Sequence, residues 1–73
     1  MRSRGRVRFV NRQRGYGFVE SDLLPGDLFF AAWHVVRSCG VLFDEIEPGD
    51  HVSFELTWSD DERPQAAHLR VER

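Results

Sequence analysis

The chain has 73 residues, 41% hydrophobic and 30% charged, with a formal net charge of −2. That length gives one domain over residues 1–73, burying only about 60% of its unfolded surface around a thin core. The composition excludes disorder, and no apolar run nears the ~18 residues of a membrane-spanning helix, nor does a signal-peptide pattern open the chain, so a cytoplasmic location is expected.

In chain order, the first predicted strand is residues 5–11. The second, 17–21, is entered through Gly15. Leu24-Pro25-Gly26-Asp27 is a turn, with proline suited to its second position and glycine to its third. A third strand follows at 28–32, then a short helical turn at 33–36. A loop with Cys39-Gly40 leads to a second turn, Glu47-Pro48-Gly49-Asp50. The fourth strand, 51–57, sends Val52, Phe54 and Leu56 one way and His51, Ser53 and Glu55 the other. Trp58 keeps the inward parity, so it is expected at the core edge or against a loop. An acidic loop at 59–63 reaches Pro64. The fifth strand, 65–71, points Ala67, Leu69 and Val71 inward. Short strands between turn signals predict an all-β protein, a five-stranded antiparallel Greek-key barrel with at most a short helical turn after the third strand.

The charge is unevenly divided. Residues 1–14 carry six arginines and no acid, whereas residues 15–73 carry four arginines against twelve acids, and lysine is absent. This predicts one basic edge on an acidic body. Arg2 and Arg4 read as a solvated tail. Arg8 and Arg14 sit beside aromatics. Cys39 is the only cysteine, which excludes an internal disulfide, and a semi-buried thiol is expected there.

Period two puts Tyr16 and Phe18 on one face of the second strand, and Phe29 opposite to Leu28 and Phe30. The barrel interior is filled by Val7, Val19, Leu28, Phe30, Val52, Phe54, Leu56, Leu69 and Val71. Tyr16, Phe18 and Phe29 remain outside, bordered by Arg8 and Arg14. One or two such rings could cap a barrel end. Three together predict a ligand platform, because rings stack on unpaired bases and guanidinium groups hold phosphates.

Arg14-Gly15-Tyr16-Gly17-Phe18-Val19 fits the first six positions of the RNP1 signature. That signature also occurs in RRM domains. However, the RNP2-like Leu28-Phe29-Phe30-Ala31-Ala32 follows it here rather than preceding it, and two long helices are missing. The chain instead resembles the bacterial cold shock proteins almost end to end. The residues carrying the resemblance are Gly5-Arg6-Val7-Arg8-Phe9-Val10-Asn11, Asp27-Leu28-Phe29-Phe30, Pro48-Gly49-Asp50-His51-Val52-Ser53-Phe54 and Pro64-Gln65-Ala66-Ala67-His68-Leu69.

The resemblance implies an OB-fold barrel that binds single-stranded RNA and DNA and melts or prevents RNA secondary structure. It implies stacking by Phe9, Tyr16, Phe18, Phe29 and Phe43, phosphate or base-edge contacts by Arg8 and Arg14, and contacts from Asn11, Asp27, Arg63, Pro64 and Gln65. An outward Phe9 follows from the resemblance alone, since strict alternation puts it beside Val7. The chain departs from the family at Val10, Ala31 and Ala32, where contact groups are lost, and its third loop is about three residues longer. Trp33 would fall on the ligand face of a continuing strand and replace missing rings, or else pack over the barrel end or under the long loop.

His34, His51 and His68 lack metal-ligand spacing, and no catalytic constellation is evident, so neither enzyme, cofactor nor metal is expected. A monomer is expected, with a strand-exchanged dimer as the other state. The rival reading is a barrel whose aromatic face serves protein contact or dimerisation, with weak nucleic-acid binding.

Overall fold

A computed structural model describes residues 2–36 and 40–72. The strands are β1 (Ser3–Asn11), β2 (Tyr16–Glu20), β3 (Leu28–Ala31), β4 (His51–Trp58) and β5 (Pro64–Val71). They close into a barrel in the order β1-β2-β3-β5-β4. Single 3-10 turns at Ala32–His34 and Phe43–Glu45 lie in the β3–β4 connection. Cys39 lies outside the described residues.

The all-β barrel follows the sequence expectation, with one correction to its antiparallel character. Four contacts between neighbouring strands are antiparallel, but β3 and β5 meet in parallel. That seam consists of the pair Phe29↔Gln65, continued by an isolated bridge from Val35 to Leu69.

Val7, Val19, Leu28, Phe30, Val52, Phe54, Leu69 and Val71 are buried together, and Leu56 packs against them partly exposed. Ile46 and Val41 join this core from the β3–β4 connection. No periodicity marked those two, because they lie in irregular chain.

Two bulges break the alternation rule. Val7 faces Val19, but Phe9 faces Phe18, so β1 carries one extra residue at Arg8. Parity flips there, and Phe9 leaves the side of Val7 for solvent. On β5, Arg70 faces Ser53 but Ala67 faces Glu55, again one residue too many. His68 takes up the excess in the left-handed region, at φ 48°. The expectation that Ala67 points inward is therefore corrected: Ala66 is buried and Ala67 is half-exposed. Trp58 also departs from expectation. It ends β4 with 55% of its surface exposed, clear of the core edge.

The N-terminal arginines are not a loose tail. Ser3, Arg4, Gly5 and Arg6 pair with β4. The Arg2 guanidinium donates to the His68 carbonyl oxygen at 2.6 Å and to Ser53 Oγ at 3.2 Å, while Arg4 meets Glu72 at 3.8 Å. Arg12 donates to the carbonyl oxygens of Asp44 at 3.0 Å and Ile46 at 2.8 Å, tying the second 3-10 turn to the end of β1. Much of the basic edge expected from composition is thus spent on holding strands together.

Candidate nucleic-acid interface

The site begins with register. On the outer surface Phe9 lies opposite Phe18, and Phe18 opposite Phe29. Neighbouring strands lie about 4.8 Å apart, so directly paired rings must touch. Ring centroids are 6.2 Å apart for Phe9–Phe18 and 6.1 Å for Phe18–Phe29. Tyr16 sits one pair along β2, at 6.1 Å from Phe9 and 5.9 Å from both Phe18 and Phe29. The Arg8 bulge brings Phe9 into this row, which alternation alone would have denied it. Tyr16, Phe18 and Phe29 are half-buried because they shield one another, and Phe9 is 44% exposed.

The row continues onto β5, where Gln65 pairs with Phe29. A cleft of about 360 Å³ opens there, lined by Phe18, Asp27, Phe29, Ser59, Asp61, Arg63, Pro64 and Gln65. Residues named from distant parts of the sequence meet in this hollow. Its β4–β5 wall is pinned by Ser59. The Ser59 amide donates to the Arg63 carbonyl oxygen at 2.9 Å, and the Arg63 amide to Ser59 Oγ at 3.1 Å. Ser59 Oγ also donates to Asp61 Oδ1, while Arg63 Nε lies 3.1 Å from the other carboxylate oxygen, Oδ2. The hydroxyl hydrogen bond and then the Arg63 charge hold the Asp61 carboxyl below its ordinary pKa. Ser59 and Asp61 were not named from the sequence, since nothing in an acidic loop marks which hydroxyl closes it.

Arg8 is exposed between Glu20, at 3.4 Å, and Asp27, at 3.7 Å. Surface pairs of this kind are worth about 0–1 kcal/mol, so a phosphate can displace them at little cost. Arg14 is exposed and makes no ion pair among the described residues. Asn11 serves the local backbone, where its Oδ1 accepts the Arg14 amide at 3.0 Å and shapes the β1–β2 turn. Phe43 stands apart from the row. Its ring packs edge-on against core Phe30 at 6.0 Å, and it lines a separate hollow with Ala32, Val35 and Leu42.

At the end of β3 the structure departs from the sequence expectation. The strand stops at Ala31, one residue early, and the 3-10 turn begins. Trp33 therefore does not continue the strand, and at 80% exposure it packs over no barrel end. Its ring lies 5.8 Å from that of His34. His34 in turn lies edge-on to Phe29, at 6.4 Å and 89°. The sequence did not mark His34 as part of this surface, because a turn has no strand parity to follow. Burial, and then the His68 charge, lower its pKa.

A model of the 'Cold-shock' DNA-binding domain matches residues 3–72. The chain belongs to that family. The cold-shock relatives are nearly coextensive with it. It is 34% identical to a cold shock-like protein of Thermotoga maritima, over 93% of this chain and 96% of the relative. It is 35% identical to cold shock protein CspB of Geobacillus stearothermophilus, over 90% and 92%. The drosophila Unr CSD456 structure superposes with a TM-score of 0.76 at 20% identity, covering all of this chain and 27% of that one. That likeness shows the fold alone. Within the cold-shock barrel, the RNP1 segment occupies the β1–β2 turn and β2, and the RNP2-like segment runs along β3 as its antiparallel neighbour. Among the described residues no cluster of metal-ligating side chains occurs, and no helix is long and apolar enough to cross a membrane.

Proposed function

We propose that this cold-shock domain binds single-stranded RNA and DNA by stacking bases on Phe9, Tyr16, Phe18 and Phe29, and that it acts as an RNA chaperone. The observation that carries this reading is the row of rings across three paired strands, leading into the cleft at Gln65. Rings in mutual contact present a broad apolar surface on which splayed bases can stack. A duplex hides its base faces, so this surface favours unpaired strands, and mass action then opens hairpins. Arg8 and Arg14 meet phosphates, while Asp27, Arg63, Pro64 and Gln65 contact the strand in the cleft. Asn11 contributes by shaping the turn, and Phe43 would have to act apart from the row. The reading involves no catalysis. Closure of the barrel within one chain, with its neighbouring strands paired, supports a monomer as the working unit.

Tryptophan fluorescence tests it. Oligo-dT and a random single strand should both quench Trp33 and Trp58, which are 80% and 55% exposed. The logarithm of affinity should fall with the logarithm of salt at a slope of about −0.7 per neutralised phosphate. Binding of neither strand at low salt, by quenching or by calorimetry, would refute the proposal and favour a protein partner for the aromatic face.

Trp33 is proposed to extend the platform beyond Phe29. Trp33→Ala should weaken oligo-dT binding about fivefold or more, given that stacking is worth about 1–3 kcal/mol per base. Unchanged affinity with an intact fold removes Trp33 from the site.

A further inference from the structure

We infer that His34 reads a base: its Nε2–H donates a hydrogen bond to a carbonyl or ring-nitrogen acceptor on the nucleotide lying just beyond Phe29. This rests on the proposal that the aromatic face is a single-strand platform.

His34 closes the 3-10 turn that follows β3. The Ala31 backbone amide donates to His34 Nδ1 at 2.9 Å. A backbone amide only donates, so Nδ1 is an acceptor and carries no proton. A neutral imidazole has one N–H, which must then sit on Nε2. Protonating Nδ1 would place two donors face to face, and burial further disfavours the charged ring. The neutral form with its proton on Nε2 is therefore the resting state.

The surroundings set what this N–H can meet. The imidazole is flanked by the rings of Phe29 and Trp33. No described residue accepts from Nε2, and no buried polar side-chain atom among the described residues lacks a partner, so Nε2 is open to solvent. A neutral donor between two aromatic surfaces suits a neutral base edge better than a phosphate, which favours a cation. A base stacked beside Phe29 brings its edge towards this corner. Ala31 is itself 1% exposed and offers no polar group, so His34 supplies the donor at this end of the row.

The test uses the full chain with 15N-labelled histidine and heptathymidine, whose bases offer O2 and O4 as acceptors. In the free protein, long-range 1H–15N spectra should show Nε2 protonated and Nδ1 unprotonated. Saturating heptathymidine should move the Nε2 and Hε2 signals while Nδ1 stays in place. His34→Phe keeps a ring beside Phe29 but removes the donor, and should weaken binding about three- to tenfold, the worth of one neutral hydrogen bond. His34→Ala should weaken it at least as much. An unmoved Nε2 at saturation, or wild-type affinity in a folded His34→Phe variant, overturns the inference and leaves the platform standing. Failure of the unaltered chain to bind either oligo-dT or a random strand overturns both.

Discussion

Replacing Phe18 and Phe29 together with alanine is expected to lower oligo-dT affinity on the order of 100- to 1000-fold, at about 1–3 kcal/mol per stacked base. These two rings are central to the row: they face each other across β2 and β3, and both line the cleft. They touch, at 6.1 Å between centroids, so the double loss need not equal the sum of the single losses. Both are half-buried on the outside of the barrel, and neither belongs to the buried core cluster. Their removal should leave circular dichroism and cooperative melting intact. The salt slope should also stay unchanged, because the arginines remain. Isothermal titration of wild type and double variant at two salt concentrations measures affinity and slope together. A double variant that binds within threefold of wild type would sink the stacking reading.

Gly17→Ala is expected to destabilise the barrel by about 3 kcal/mol, the upper end of ordinary overpacking costs. Gly17 lies directly beneath the ring row, on the inward-facing side of β2. A Cβ there would come within 2.5 Å of the Phe9 carbonyl oxygen and 2.7 and 2.8 Å of two Phe30 ring carbons. The carbonyl belongs to a paired strand, and Phe30 is fully buried, so neither can retreat cheaply. A domain this small has little stability in reserve, on the order of 5 kcal/mol. At about 4–8 °C per kcal/mol the melting temperature should fall by at least ~12 °C. Gly26→Ala is the control, since nothing lies within 4 Å of the position. If both variants melt within about 2 °C of wild type, the close packing inferred at Gly17 is wrong.

The strands and most of the core were legible in the sequence because alternation is a local signal. Val52 and Phe54 lie on the barrel's inner side as their spacing requires. Alternation failed where a single residue was inserted into a ladder. Arg8 and His68 are both polar, and a polar residue looks the same in a regular strand as in a bulge. Phe9 and Ala67 were displaced for that reason. Ile46 and Val41 were invisible because their burial depends on chain brought in from far along the sequence. The ring face was legible as residue types, but its flank was not. The turn that carries Trp33 and His34 has its own geometry, and the engagement of Arg2 and Arg12 with distant carbonyl oxygens has no sequence signature.

The parallel meeting of β3 and β5 gives the barrel one lightly stitched stave. Phe29 and Gln65 are the paired residues that join its two sides. An oligonucleotide laid from Phe18 to Gln65 would cross that short seam from outside, like a clasp over a join. Part of its grip would then go into keeping the two sides together, so occupancy and resistance to prying open would rise in step.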